Sequence, residues 1–298
     1  MSQAVWIATV AVTAAWSAAG SMAPGPAQLP PVAIAPGVNM PMVSIGHPDD
    51  GCTHGRGPGC AAAALNMTAM WLRIGGRGID TAQAYDNQPQ VGQAIHEAIA
   101  AGIVNRSDVF VTTKINPEPC TADAALAAVK SDAQQLGLAQ LDLVLHHFPC
   151  DSDDENKAVW AGLADAKAQG LTRAIGVSHY TQETLEGIAS LGKGTPVVNQ
   201  CELCIGQHDD ATIAYCKSKG ITYQAYGALR SVDLSNPTLE AVATAHNVST
   251  AQVALRWVTQ LGSPLAVSPG LNQQYAIEDL RLAVFSLTPA EMAKLSAI

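Results

Sequence analysis

The stretch IDTAQAYDN, residues 79–87, sets Asp80 and Tyr85 five positions apart. Farther on, VFVTTK ends in Lys114 and LVLHHFP carries His146 and His147. A phenol with a pKa of about 10 is a poor acid at neutral pH unless something favours its anion. A lysine ammonium beside it does so, and a buried carboxylate keeps that ammonium charged and oriented. A nearby imidazole can hydrogen-bond a substrate oxygen and fix its position. An acid, a phenol, an ammonium and an imidazole in one place could protonate a carbonyl oxygen while a nicotinamide delivers hydride to the carbon. Singly, each residue has a plainer role. Asp80 could cap a helix, Lys114 could be a solvated charge, Tyr85 a loop aromatic, and one of two adjacent strand histidines belongs to the core.

These residues matter together only if the chain brings them to one edge. From residue 77 onward, short β-branched or continuously apolar runs alternate with helical ones. The strand-like runs are RGID, DVFVTTK, LDLVLHH, TRAIGVS, TPVVNQCEL, ITYQAYGA and PLAVSPG, preceded by PMVSIG at 41–46. Such runs suit parallel strands covered on both faces. Helical patterns fall at 90–101, 121–136, 155–169 and 209–219, with another after Gly59; Thr121 and Thr181 are capping residues, and Gly102, Gly137, Gly170, Gly192 and Gly220 are stops. GGRGID has its glycines before the strand, the wrong order for a dinucleotide fingerprint in an open sheet. Eight strand–helix units therefore predict a closed (β/α)8 TIM barrel of the α/β class, one domain over residues 23–298. Its chemistry belongs at the C-terminal ends of the strands. Asp80, Lys114, His146-His147, Ser178-His179, Gln200 and Tyr226 all stand at such ends.

Composition narrows the partners. Twenty-five acidic against 16 basic residues give a net charge of −9 in 298 residues, with no basic run, which disfavours nucleic acid. Residues 1–22 carry no charged side chain and an apolar run from Ala4 to Trp16, the pattern of a secretory signal too short for a membrane span. The alternative is an N-terminal extension of a cytoplasmic enzyme. Three acceptor sequons, at Asn66, Asn105 and Asn247, and seven cysteines lean towards secretion. Cys52 and Cys60 could close the glycine-rich loop between them. The CELC run (Cys201, Cys204) continues an apolar strand that would point its sulfurs to opposite faces, so neither redox nor metal chemistry is expected of it. Cys120 and Cys150 follow neighbouring strands and could be bridged at the pocket rim in an oxidising compartment.

In order along the chain, GIDTAQAYDNQPQVGQAI, VFVTTK, LDLVLHHFP, GLTRAIGVSHY, VVNQCEL, AYGALRS and TAQVALRWV resemble the segments of the aldo-keto reductase family, over residues 37 to 298. The resemblance implies a barrel with a catalytic tetrad of Asp80, Tyr85, Lys114 and His147, leaving His146 to the core. It implies NADP(H)-dependent reduction of an aldehyde or ketone by a monomer, with no membrane contact in the mature form. For the cofactor it implies Ser178 and His179, the latter in place of an asparagine, with Gln200 at the carboxamide, Tyr226 stacked on the nicotinamide, and Leu229 and Ser231 near the pyrophosphate. Glu278 takes the adenine amine, with Asp279 in place of an asparagine. Phe148 stands where a bulky pocket wall is expected. Gly270, Leu271 and Tyr275 replace the lysine, serine and arginine that clamp the 2′-phosphate of NADP, which makes NAD(H) possible. The competing expectation is a catalytically weakened barrel that senses a cofactor or binds a partner.

Overall fold

The computed structural model describes residues 28–46 and 60–298; the leader-like segment 1–22 and the glycine-rich loop bearing Cys52 lie outside the described residues. A two-stranded antiparallel hairpin, β1 (Val32–Ala35) and β2 (Val38–Met40), precedes eight parallel strands. These are β3 (Val43–Ile45), β4 (Gly78–Asp80), β5 (Phe110–Ile115), β6 (Leu141–His146), β7 (Thr172–Ser178), β8 (Val198–Glu202), β9 (Thr222–Tyr226) and β10 (Leu265–Val267). They pair in chain order, and β10 closes on β3. The expected (β/α)8 barrel is thus formed.

The helices cover the outside. They are α1 (Cys60–Arg73), α2 (Gln88–Ala100), α3 (Ala122–Leu136), α4 (Asp153–Ala168), α5 (Gln182–Ala189), α6 (Asp210–Ser218), α7 (Pro237–His246), α8 (Thr250–Gln260), α9 (Gln273–Leu280) and α10 (Pro289–Leu295). Thr121 and Thr181 do cap α3 and α5, accepting from Ala124 N and Thr184 N. Gly137 ends α3 at φ 66°, in the left-handed region that glycine enters without penalty. The seventh strand interval departs from one helix per strand, because α7 and α8 both lie between β9 and β10. The VVNQCEL strand stops at Glu202, so Cys204 lies beyond it in a turn paired with Gln207. The strand argument about CELC therefore does not apply to Cys204. Cys201 and Cys204 are nonetheless unbonded.

The barrel interior is divided by polarity. Phe110, Leu143, Leu145, Ala174 and Val198 fill its lower part, and Ile34, Val38 and Met40 of the hairpin pack against them from below. Each such side chain contributes about 1.5–3 kcal/mol by leaving water. The hairpin was not anticipated, since its strands have only four and three residues. Its turn is held by Arg173, whose guanidinium donates to the Gly37 carbonyl at 2.7 Å while pairing with Asp142 at 2.9 Å. Above this floor, Asp80, Lys114, Gln200 and Gln224 point inward and are all buried. Space there is tight: a Cβ on Gly78 would stand 2.2 Å from Ser44 Oγ.

A second buried carboxyl lies outside the barrel wall. Asp132 of α3 accepts from Thr113 Oγ1 at 2.9 Å, and Gln88 Nε2 donates to the same hydroxyl at 2.7 Å. Asp132 Oδ1 and Gln88 Oε1, two buried acceptors, have no donor. A proton on Asp132 resolves this, and burial pushes the carboxyl up to about 6. A raised carboxyl stabilises the fold fully below its unfolded value, and that contribution is lost as pH rises through about 6. Asp132→Asn, which carries donor hydrogens at every pH, should gain on the parent by roughly 2–3 kcal/mol between pH 4 and 7. Denaturant unfolding at the two pH values measures this; a pH-independent difference would rule out the shared proton.

Candidate active site

Successive strands deliver the chemistry at the mouth of the barrel. Asp80 ends β4, Lys114 is the fifth residue of β5, and His147 directly follows β6. Tyr85 comes from the turn after β4, where a short 3-10 segment at Gln83–Tyr85 lifts its half-buried ring over the opening. Side chains alternate along β5, so Phe110, Thr112 and Lys114 face inward while Thr113 faces α3. Lys114 is 1% exposed. Its ammonium pairs with Asp80 Oδ1 and donates to the Thr81 carbonyl at 3.2 Å and the Tyr85 oxygen at 3.4 Å. Burial alone would pull this ammonium down. The charges of Asp80 and Tyr85 outweigh it and hold Lys114 above its ordinary value. Asp80 is no helix cap: Asn87 occupies that position at the start of α2.

The adjacent histidines separate as strand geometry requires. His147 meets the Tyr85 ring edge-on at 5.7 Å. Burial, then Lys114 and the other histidines, pushes its imidazole down to about 2, so it is neutral. Its Nδ1 is buried without a partner, which leaves Nε2 to meet a ligand. His146 turns outward, and its Nδ1 lies 2.7 Å from the Tyr180 hydroxyl. It is the satisfied core histidine that was expected.

Gln200 sits beneath the mouth rather than freely in it. Its Nε2 donates to Asp80 Oδ2 at 2.7 Å and to Gln224 Oε1 at 2.9 Å, so it also orients the carboxylate that holds Lys114. Gln224 was missed by sequence reasoning; it lies two residues before Tyr226 and shares its face. Ser178 Oγ is buried and donates to the Gln200 carbonyl at 2.8 Å. Phe148 is 46% exposed and stacks on His147 at 4.3 Å and on His179 at 4.5 Å. His179 in turn approaches Tyr226 at 5.3 Å. Its φ of 61° is left-handed, a conformation that asparagine and histidine enter more readily than most residues.

After Tyr226 in the chain, Leu229 is half-buried and Ser231 exposed. Between them Arg230, overlooked in the sequence, lies 5.5 Å from the centre of the Tyr226 ring and 3.5 Å from Glu202. After β10, Gly270 turns at φ 62°, where a side chain is disfavoured, and Leu271 and Tyr275 are exposed. Glu278 accepts from Ser249 at 3.0 Å and Gln274 at 3.0 Å. Asp279 is buried, and desolvation and the Glu278 charge push it up to about 7. Among the described residues no three His, Cys, Asp or Glu side chains gather as a metal site would require. Cys120 and Cys150 are joined as a disulfide across the loops after β5 and β6, as their positions suggested.

Comparison with known proteins gives this geometry a family. The model of the aldo/keto reductase family matches residues 54–298. Aldo-keto reductase AKR2E4 of Bombyx mori is 31% identical, over 90% of this chain and 92% of that protein. Its crystal structure in complex with NADP superposes with a TM-score of 0.81, at 30% identity over 91% of this chain and 92% of that one. NADPH-dependent codeinone reductase 1-4 of Papaver somniferum is 30% identical over 91% of this chain and 89% of its own. The chain therefore belongs to the aldo/keto reductase family and is an oxidoreductase of that type.

Proposed function

We propose that this protein reduces an aldehyde or ketone to an alcohol with NADP(H), Tyr85 acting as the general acid. The observation that carries this reading is the Lys114 ammonium, held by Asp80 and within 3.4 Å of the Tyr85 oxygen. A nicotinamide dinucleotide, when bound, supplies the hydride. The Tyr85 hydroxyl gives its proton to the carbonyl oxygen, and Lys114 stabilises the phenolate left behind. His147 is neutral and cannot be the acid; its Nε2 donates a hydrogen bond that orients the carbonyl. Tyr226 is no rival acid, since burial pushes its phenol up to about 12.

The residues at the nicotinamide end fit such a cofactor. The half-buried Tyr226 ring offers a stacking surface, Gln200 Oε1 keeps acceptor capacity, and Arg230 adds an exposed cation near Leu229 and Ser231. His179 and Ser178 flank the same place, with Phe148 as the pocket wall. At the adenosine end, Glu278 is the carboxylate suited to the base, while Asp279 is buried. Gly270, Leu271 and Tyr275 bring no charge to a 2′-phosphate, and charge-assisted bonds are the strong ones there. NADH should therefore be tolerated. Removing Tyr85's hydroxyl with Tyr85→Phe should abolish turnover while cofactor quenching of intrinsic fluorescence stays nearly unchanged.

Lys114→Met should lower kcat by about a hundredfold or more. A variant of either kind that kept most of its rate would overturn the mechanism. The ratio of kcat/KM for NADPH over NADH should stay below about a hundred, some 2.7 kcal/mol. A second reading, a barrel that binds a cofactor without chemistry, is favoured by the uncharged Leu271 and Tyr275. Quenching by NADPH with no turnover across a panel of aldehydes and ketones would select it.

A further inference from the structure

The disulfide belongs to a closed circuit of contacts directly behind the barrel mouth. His146 Nδ1 lies 2.7 Å from the Tyr180 hydroxyl, and that hydroxyl donates to Asn156 Oδ1 at 3.0 Å. Its single hydrogen is thereby spent, so His146 must donate through Nδ1 and carry its proton there. Asn156 Oδ1 also accepts from the Cys150 backbone N–H at 2.8 Å, and Cys150 Sγ lies 3.7 Å from His146 Nε2. His146, Asn156 and Tyr180 are each 3% exposed or less. Hydrogen bonds thus join the end of β6, the first turn of α4 and the segment after β7 to the Cys150 backbone, while the bridged sulfur, which has no hydrogen, packs against His146 Nε2.

Its members are chain neighbours of the residues in the mouth. His146 precedes His147 and Phe148, and Tyr180 follows His179. The stack His147–Phe148–His179 is therefore gripped from behind on both sides, and Cys150 is anchored to Cys120 on the loop that follows Lys114. Burial holds His146 down at about 4 and Tyr180 well above the phenol range, so ordinary changes of pH leave the circuit neutral. The one member open to chemical change is the half-buried disulfide.

We infer that His146, Tyr180, Asn156 and the Cys120–Cys150 bond are positioning residues for His147, and that opening the bond with a dithiol loosens the grip on the carbonyl. In that exchange the dithiol's two thiols supply two electrons and two protons. The S–S bond breaks, Cys120 and Cys150 become thiols, and the reagent becomes a disulfide. The kinetic arm rests on the reductase reading above; an NMR arm does not.

The test compares the full chain before and after dithiothreitol, with two free thiols confirmed by mass spectrometry and the fold by circular dichroism. Reduction should shift the 15N imidazole resonances of His147 and His179 in cofactor-free protein. With a generic aldehyde it should lower kcat/KM by about fivefold or more while the cofactor Kd changes by less than about twofold. Cys120→Ser/Cys150→Ser should match the reduced parent and ignore dithiothreitol. Tyr180→Phe, with the bond intact, should shift the same resonances. Unchanged imidazole signals in verified reduced protein would overturn the inference, as would global unfolding, which marks the bond as a staple only. No turnover in either state would defeat the reductase reading, and the imidazole signals would still decide the positioning role.

Discussion

An ammonium cannot be carried into a protein interior without compensation, because burial strips it of water and disfavours its charged form. Lys114 is nonetheless buried inside this barrel, and the upper part of the structure is arranged around that fact. Asp80 supplies the opposite charge from the neighbouring strand, and the Thr81 carbonyl and Tyr85 oxygen complete the contacts. Gln200 reaches from the far side of the barrel to hold Asp80's second oxygen, and Gln224 accepts a second bond from the same amide. Breaking a buried pair by removing one partner leaves an uncompensated charge and costs about 3–5 kcal/mol. The same pair that solves this folding problem fixes a positive charge 3.4 Å from the Tyr85 oxygen.

The lower half of the barrel has the opposite character. Phe110, Leu143, Leu145, Ala174 and Val198 exclude water below the charged layer, and the β1–β2 hairpin closes the floor. Weakly solvated surroundings strengthen electrostatic interactions above them. Burial also lowers the imidazole pKa of His146, packed outward against Tyr180, and of His147 at the mouth. The result is a mouth in which a buried ammonium meets the Tyr85 oxygen and the His147 imidazole stands beside the same ring.

At Gly270, where the resemblance implies a lysine, the proposed loss of a phosphate clamp has a backbone component as well as a charge component. Gly270 adopts a left-handed conformation in which a lysine would be strained, so restoring the cation there is not a simple exchange of side chains. Leu271 and Tyr275 lie exposed where the family sets a serine and an arginine. Gly270, Leu271 and Tyr275 thus lie close together in the chain, whereas His179 stands beside the mouth where Asp80, Tyr85, Lys114 and His147 meet.

Much of this could be read from the chain. The apolar runs ending in polar residues, with glycine stops after several helices, were enough to imply eight parallel strands and a polar rim. Period-2 alternation then brought Lys114 inward and separated His146 from His147. Short elements carried too weak a signal, which is why the hairpin and the true end of the CELC strand were missed. Gln200's grip on Asp80, the Phe148–His179 stack and the circuit behind His146 could not be seen at all. Each depends on residues 24 to 120 positions apart that meet only when the barrel closes. The sequence by itself determined which groups face inward, because alternation along a strand is local. Tertiary structure decided which of them touch, because closure and tilt of the ring set cross-barrel distances that no local rule contains.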